Sequence, residues 1–350
     1  MVALFHGVVP PTHVGSEVAE VVHRRRGVVV TLVWAVIVLA GSAPAFADDY
    51  FTLIVAGASG GEAYVETYER WRQELVSALR RPAEFRDDHL VVLSETPGPG
   101  IERASRDGVT QAFEDLGGQM TSESILLVVL LGHGTYDGVD ANFNLVGPDL
   151  ESKEWAALLD GLPGQAVFVN TTAASYPFVR QLARSGRVVI AATATAGQRH
   201  DTIFPEYFVR ALTEESADAD RDSRVSVWEA FDYTSAEVRR WYQRQGRLAT
   251  ELAILDDSGD GSGREAGKDG RDGVLAPRVF VGAGIDPPPV VSDPSLVPLV
   301  ERRDALQDEV VDLRGRKDEL EADVYERELE RILVELARVS REIRRRTAAS

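Results

Sequence analysis

Histidine and hydroxyl side chains follow two strongly apolar segments of this sequence. His133 lies between two glycines directly after the run Ile125–Leu131, which has the composition of a buried strand. A histidine in such a place is expected to be exposed and is a side chain suited to act as a general base. Thr172 and Ser175 follow the apolar segment 166–169 and are candidate nucleophiles. The alternatives are a loop histidine without chemistry and hydroxyl groups that cap a helix.

The acidic segment 218–229 has the spacing of an EF-hand calcium loop. Carboxylates stand at positions 1, 3 and 5, a backbone carbonyl at position 7 and a glutamate at position 12. Calcium prefers several oxygen ligands around one point, and a spacing of two turns alternate side chains inward. Ser223 replaces the glycine usual at position 6, which weakens binding, and an acidic surface turn is the alternative. The predicted cofactor is calcium, and its predicted ligands are Asp218, Asp220, Asp222, Arg224, Ser226 and Glu229.

A second acidic segment, 256–261, begins like another such loop but lacks its last ligand. The residue at the twelfth position is Gly267, so the bidentate carboxylate is absent. Asp269 or Asp272 would replace it only in an irregular loop. We therefore interpret residues 256–273 as an acidic connector, with a second cation site as the alternative.

Composition excludes several classes of function. The chain of 350 residues has 56 acidic and 38 basic side chains, a formal net charge of −18, so it repels nucleic acid and anionic membranes. It contains no cysteine, which excludes disulfides, thiolate metal ligands and a cysteine nucleophile. With 44% hydrophobic residues, the chain can bury a sizeable core.

The first 47 residues have the pattern of an export signal peptide. Basic residues at 23–26 precede an apolar run from Gly27 to Ala40, and residues 45–47 form an A-x-A cleavage site. The run is shorter than the roughly 20 residues of a membrane span. We therefore predict an exported protein, periplasmic or extracellular, with no stable membrane span after signal removal; an uncleaved anchor is the alternative.

Apolar segments alternate with helical patterns between Tyr50 and about Thr195. Continuous apolar strands that alternate with helices indicate an α/β fold, with a mainly parallel sheet covered by helices on both faces. Sites in such sheets form beyond the carboxyl ends of the strands, where His133 and the segment after Val169 are expected. A helix is predicted at 62–79, with Val65 on its buried face. The predicted strands are 51–56, 89–93, 125–131, 166–169 and 188–191, and helices at 202–213 and 226–245 flank the acidic loop.

In order and spacing, these segments resemble the legumain-like cysteine peptidases of the caspase/legumain clan. Ile54–Gly57 looks like the family's opening strand and turn, and Leu131–Gly134 is placed like its catalytic His-Gly. Phe168–Thr172 falls where the family has an apolar strand ending in Ala-Cys. Val189–Thr195 is similar to the strand and turn that border the family's substrate pocket. The resemblance implies a caspase/legumain-like fold.

The resemblance covers roughly residues 50–250. Within this range, the departures from the family pattern matter more than the matches. By this resemblance, Thr172 stands at the position of the nucleophilic cysteine, and a threonine hydroxyl is a far weaker nucleophile than a thiolate. Acidic residues beside the family's histidine and cysteine correspond to Gly132 and Asn170. The base is kept while the nucleophile is lost, so we expect a peptidase fold without cysteine peptidase activity.

A separate helical region, residues 296–350, follows a Pro-rich linker at 285–295. Leucines repeat every seven residues from Leu299 to Leu320, and a second apolar stripe begins at Leu329. The jump in register predicts a helical hairpin, and one coiled coil with a stutter is the alternative. Such helices serve oligomerisation or partner docking, or they pack on their own domain.

These patterns support three hypotheses about function. The first is an exported, calcium-binding legumain/caspase-like protein that acts as an interaction or regulatory module for a protein or peptide partner. The second is a hydrolase in which Ser175 or Thr172 attacks with His133 as base. The third is a structural envelope protein that assembles as a homo-oligomer through its C-terminal helices. The predicted boundaries are 1–47 for the signal peptide, 48–284 for the α/β domain, 285–295 for the linker and 296–350 for the helical region.

Overall fold

The computed structural model describes residues 50–81, 85–222, 224–268, 270–281, 296–317 and 320–347. The predicted signal peptide, the predicted linker and Ser223 lie outside these described residues. All of the described residues belong to one compact unit, Asp48–Ser350.

Strands and helices alternate along most of the described chain. The strands are β1 (Tyr50–Ala56), β2 (Leu90–Ser94), β3 (Glu102–Arg103), β4 (Ile125–Leu131), β5 (Gly134–Tyr136), β6 (Ala141–Phe143), β7 (Leu150–Glu151), β8 (Gln165–Asn170), β9 (Arg187–Ala191), β10 (Ile254–Asp256) and β11 (Arg264–Glu265). The helices are α1 (Glu62–Leu79), α2 (Arg106–Gly117), α3 (Ser152–Asp160), α4 (Tyr176–Leu182), α5 (Phe204–Ala211), α6 (Val227–Arg244), α7 (Val297–Gly315) and α8 (Ala322–Thr347).

Eight strands form one mixed, mainly parallel sheet in the order β11-β10-β9-β8-β4-β1-β2-β3. The strands from β9 to β3 in this order run parallel, and β10 pairs antiparallel with both of its neighbours, β9 and β11. All seven residues of β4 are buried, because its branched apolar side chains face core on both sides. The predicted α/β class with a mainly parallel sheet is confirmed.

Helices cover both faces of this sheet. On one face, Val129 and Ile190 belong to a core cluster with the apolar residues of α1, α5 and α6. On the other face, Val128 and Phe168 pack in a second cluster with those of α2, α3 and α4. Successive residues of a strand point to opposite faces, so β1, β2, β4, β8 and β9 each contribute to both clusters. This double cover holds the carboxyl ends of the strands in place.

A small antiparallel sheet, β5-β6-β7, follows directly after the His133 loop. Its strands contain only two or three residues, which is too short for a periodic apolar pattern, and the sequence did not predict them. Phe143 of β6 is fully buried and packs beside the turn that carries His133. The small sheet therefore supports the edge where the candidate site lies.

The C-terminal region is α-helical, as predicted, and α7 and α8 pack against each other in antiparallel directions. Leu306 and Ile332 are buried between the two helices. Arg302 of α7 pairs with Glu335 of α8 at 2.7 Å, and Lys317 near the other end lies over the Tyr325 ring at 5.7 Å. Across the described ranges, no helix is both long and apolar enough to cross a membrane.

Candidate functional site

The turn after β4 places His133 at the carboxyl edge of the sheet. The Gly57 N–H donates to the Leu131 carbonyl at 2.9 Å, which ties the end of β4 to the end of β1. Gly132 has a φ of +148°, a conformation that favours glycine, and a Cβ there would lie 3.5 Å from the Phe143 ring. The His133 side chain is 26% exposed. The predicted position of His133 at a strand end therefore agrees with the structure, although the side chain is more enclosed than expected.

Aromatic rings and one carboxylate surround His133. Its Nε2 lies 3.0 Å from the Tyr68 hydroxyl, and its Nδ1 lies 3.7 Å from Asp201 Oδ1. The Tyr64 ring meets the imidazole edge-on, with centroids 4.6 Å apart. Trp71 stacks on Tyr68 at 5.7 Å. Together these residues line a cavity of about 150 Å³, called here the His133 pocket.

Asp201 gives the His133 pocket a negative charge. The Tyr64 hydroxyl donates to Asp201 Oδ2 at 2.5 Å, and this hydrogen bond raises the pKa of Tyr64. Burial raises the pKa of Tyr68, and the nearby Asp201 charge raises it further. Both phenols therefore stay protonated at neutral pH.

Thr172, at the position that the family resemblance assigns to the nucleophile, is fully buried. Its hydroxyl faces Gly134, because a Cβ on that glycine would lie 2.6 Å from Thr172 Oγ1. Within the described ranges, this hydroxyl has no hydrogen-bond partner, while the Thr172 N–H donates to Asn170 Oδ1 at 3.0 Å. A substrate approaching from solvent would not reach Oγ1 in this arrangement.

Ser175 is also fully buried, and its hydroxyl joins two strand ends. Ser175 Oγ lies 2.9 Å from Thr193 Oγ1 and accepts from the Thr193 N–H at 3.1 Å. Thr193 Oγ1 in turn donates to the Ala173 carbonyl at 3.2 Å and accepts from the Tyr176 N–H at 3.1 Å. These bonds connect the loop after β8 to the loop after β9, so Ser175 has a structural role in the described geometry.

The three candidate catalytic residues therefore do not form a hydrogen-bonded group in the part of the chain described. A general base must lie within roughly 3 Å of the proton that it removes. The His133 imidazole is hydrogen-bonded to the Tyr68 hydroxyl, and the Ser175 hydroxyl is hydrogen-bonded to Thr193. The geometry of this edge suits binding better than nucleophilic attack.

The acidic loop brings three predicted calcium ligands together. Asp218, Asp220 and Asp222 each offer a carboxylate oxygen, and these oxygens all lie within 4.8 Å of one another. The Asp222 N–H donates to Asp218 Oδ1 and to Asp220 Oδ1, both at 3.0 Å, which folds the loop around the carboxylates. Arg221 between them has a φ of +61°, so the backbone turns sharply at this point.

The remaining predicted ligands make other contacts. Glu229 and Ser226 form a capping box at the start of α6, in which Ser226 Oγ accepts from the Glu229 N–H at 3.2 Å. Glu229 also accepts from the Ala219 N–H at 2.9 Å, so its carboxylate closes the loop. The Arg224 guanidinium pairs with Asp222 at 2.8 Å and lies over the Phe280 ring. The predicted entering helix is shorter than expected, because α5 ends at Ala211.

The carboxylates of this loop crowd one another. Burial and the neighbouring charges of Asp222 and Glu229 raise the pKa of Asp220 to about 7. Burial also raises the pKa of Glu229. A positive ion among these groups would favour their charged forms and offset the repulsion.

The acidic loop faces the C-terminal helices across a groove of about 690 Å³. Gln307 of α7 donates to Asp220 Oδ2 at 2.6 Å. Arg278, which also lines the groove, pairs with Asp308 at 3.2 Å and with Asp312 at 2.8 Å. One candidate cation ligand is therefore in direct contact with the helical region.

The second acidic loop uses its carboxylates to hold its own backbone. Asp257 accepts from the N–H groups of Gly273 and Leu275, each at 2.7 Å. Asp272 Oδ1 accepts from the N–H groups of Asp257 and Ser258, both at 3.1 Å. These contacts give the carboxylates a structural role, in keeping with the connector interpretation of residues 256–273.

The sequence did not predict Tyr64, Asp201 and Gln307 as site residues. Tyr64 and Asp201 are 137 residues apart, so only the tertiary fold brings them together. The expected buried position at Val65 was wrong: this side chain is 43% exposed, and its neighbour Tyr64 faces His133 instead. Two tyrosines spaced by four residues at the start of α1, beside a glycine-rich turn, were the available signal.

Comparisons with known proteins do not identify a function for this chain. No protein-family model matches the chain, and no curated protein matches it. The crystal structure of protein GSU0716 from Geobacter sulfurreducens matches 59% of this chain and 92% of that chain, with 13% identity and a TM-score of 0.37. A likeness of this size carries no argument about fold or function.

Proposed function

We propose that the protein is an exported, calcium-binding protein of caspase/legumain-like fold that has no cysteine peptidase activity and acts as an interaction or regulatory module. The observation that carries this proposal is the meeting of three aspartate carboxylates in a loop with EF-hand spacing. Export would place this loop where calcium is plentiful, so a weak single site would still be filled.

The donor set suits calcium. Asp218, Asp220 and Asp222 provide hard oxygen ligands, and calcium takes about 6–8 of these at flexible geometry. The Arg224 carbonyl, Glu229 and water would supply the remaining oxygens. Arg224 also neutralises part of the charge on Asp222, and Glu229 is engaged with backbone N–H groups. Both contacts weaken the site, so we expect affinity in the range of extracellular modules, about 10⁻⁴–10⁻³ M.

The fold assignment within this proposal rests on the order of the strand ends. His133 follows β4 and Thr172 follows β8, and these two strands are neighbours in the sheet. That placement is in keeping with the resemblance to legumain-like peptidases. The burial of Thr172 and the bonds of Ser175 support the absence of peptidase activity, because neither hydroxyl is presented to a substrate.

The partner of such a module would meet the helical region. Gln307 connects the acidic loop to α7, so ion binding at Asp220 would be sensed by the helices. We propose a protein or peptide as the partner. A homo-oligomer formed through residues 296–350 is the alternative, and light scattering with and without calcium would detect it.

Terbium luminescence tests the calcium site and its location. Trp228 lines the same groove as Asp220 and would sensitise a terbium ion bound in the loop. We expect terbium emission that calcium displaces and that Trp228→Phe removes without loss of calcium binding. Emission that persists in Trp228→Phe, or that Asp220→Asn leaves unchanged, would contradict the proposed site. The matched control is Glu123→Gln, which changes an exposed acid that precedes β4 and lies outside the acidic loop.

A further inference from the structure

The His133 pocket has the size of a side-chain end rather than of a whole ligand. Its volume is about 150 Å³, whereas pockets for drug-sized molecules measure about 300–1,000 Å³. The Asp201 side chain at its mouth is 59% exposed, so the pocket is reached from solvent. Its occupant is therefore a small group, or the end of a longer chain that stays outside.

Aromatic rings form one wall of the pocket. Tyr64, Tyr68 and Trp71 occupy successive turns of α1, and all three line the cavity. The rings of Tyr64 and Tyr68 are tilted, with centroids 5.8 Å apart, and Trp71 continues the row. The faces of such rings carry negative electrostatic potential and attract cations.

The charge of the residues that line the pocket also favours a cation. Asp201 is the one carboxylate among the lining residues described, and no lysine or arginine is among them. Its Oδ2 accepts from Tyr64, which leaves Oδ1 directed towards His133 at 3.7 Å, a distance too long for a hydrogen bond. A second donor could therefore approach this carboxylate.

We propose that the His133 pocket binds the ammonium or guanidinium group of a lysine or arginine side chain from a peptide. The aromatic faces would contact the cation, Asp201 would accept its hydrogen bonds, and the alkyl stem would pass the mouth of the pocket. An anion would be repelled by the Asp201 carboxylate, and an uncharged apolar group would desolvate Asp201 Oδ1 without offering it a donor. Neither is compatible with the lining.

Ligand-observed NMR titration of the full chain tests this proposal. The probes are the capped peptides Gly-Lys-Gly and Gly-Arg-Gly, with norleucine and acetyl-lysine at the central position as uncharged controls. We expect the basic peptides to bind at least about tenfold more tightly than either control. Butylammonium and butylguanidinium form a second arm: if they bind as tightly as the peptides, the ligand is a free amine or guanidine rather than a peptide, and the peptide source is overturned.

Variants of the pocket locate the effect. Asp201→Asn and Tyr64→Leu should each weaken binding of the lysine peptide about tenfold, whereas Tyr64→Phe, which keeps the ring, should change it less than about threefold. Asp137→Asn, an exposed acid outside the pocket, should bind as the wild type does. Absence of binding at about 10 mM peptide, equal binding of norleucine, or unchanged binding in both Asp201→Asn and Tyr64→Leu would overturn the proposal. Calcium binding measured on the same variants separates this outcome from failure of the acidic loop.

Discussion

At the carboxyl edge of the sheet, the hydroxyls of Ser175 and Thr193 bond to each other, whereas the carboxylates of the acidic loop repel one another. At the edge, Ser175 and Thr193 share a hydrogen bond that joins two strand ends. In the loop, the carboxylates of Asp220 and Asp222 lie close together, and desolvation together with their mutual repulsion raises the pKa of Asp220. The hydrogen-bonded hydroxyls of Ser175 and Thr193 have a structural role, whereas the crowded carboxylates of the loop are arranged as a cation site would require.

Two carboxyls with raised pKa values sharpen this comparison. The pKa of Glu251 and the pKa of Asp220 are both raised to about 7, but for different reasons. For Glu251 the cause is burial, and its carboxylate accepts from the N–H groups of Ile203 and Phe204 at the start of α5. For Asp220 like charges add to burial. A cation bound among the loop carboxylates would relieve the repulsion that acts on Asp220.

The largest effect is expected for a cysteine placed at Thr172. Because the chain has no cysteine and Thr172 is fully buried, the thiol of Thr172→Cys should react with a soluble disulfide reagent at least about a hundredfold more slowly than that of Val139→Cys, which is 84% exposed at wild type. Thr172→Cys should also remain without peptidase activity. Equal reaction rates, or cleavage of a peptide substrate, would show that the edge is open to chemistry.

Glu251 should make folding depend on pH. Because burial raises its folded pKa from 4.5 to about 7, the folded state keeps a proton that the unfolded chain releases. The stability contributed by Glu251 is therefore fully present below pH 4.5 and decreases as the pH rises towards 7. Urea unfolding at pH 5 and pH 8 should show a loss in wild type that is about 2–3 kcal/mol larger than in Glu251→Gln. An identical pH profile in the variant would contradict this role, and Glu123→Gln should keep the wild-type profile.

Calcium affinity should depend on pH through Asp220. Its pKa of about 7 means that protons compete with calcium at lower pH, so binding should weaken about tenfold from pH 8 to pH 6. The shift in melting temperature at a fixed calcium concentration measures this effect. In Asp220→Asn the remaining calcium effect should lose most of its pH dependence. A wild-type affinity that does not change with pH would contradict the crowding of these carboxylates.

The smallest predicted effect concerns Ser175. Ser175→Ala leaves the buried Thr193 N–H without its acceptor and should lower the free energy of unfolding by about 1–2 kcal/mol, as measured by urea unfolding. Ser262→Ala, at an exposed position, should change it by less than about 0.5 kcal/mol. An unchanged stability in Ser175→Ala, together with loss of a hydrolytic activity, would favour a catalytic role for this residue.

Local pattern was sufficient for the main elements of the fold. β4 and α1 have the predicted bounds, because a continuous branched apolar run and a clear helical period are both local signals. The two- and three-residue strands around Tyr136 and Phe143 were missed, since so few residues carry no period. Their pairing depends on the turn after His133 and on the packing of Phe143, which are tertiary features.

For the candidate sites too, a local pattern predicts some residues, while others come together only in the tertiary fold. The three aspartates of the acidic loop could be predicted because they lie within five consecutive residues, 218–222, and a loop of that length brings them together by itself. Asp201 and Tyr64 could not be predicted, because helix α1 and the segment after β9 meet only in the folded sheet. The alternative hypothesis paired His133 with Ser175 or Thr172 from chain order, but order does not specify which hydroxyl faces the imidazole.

Calcium titration calorimetry on the purified protein tests the central proposal most directly. The account predicts one calcium ion per chain, with a dissociation constant of about 10⁻⁴–10⁻³ M at pH 8, and at least tenfold weaker binding in Asp220→Asn. Glu123→Gln should bind calcium as the wild type does. No binding heat in the millimolar range, or a wild-type isotherm in Asp220→Asn, would contradict the assignment of the acidic loop as the calcium site.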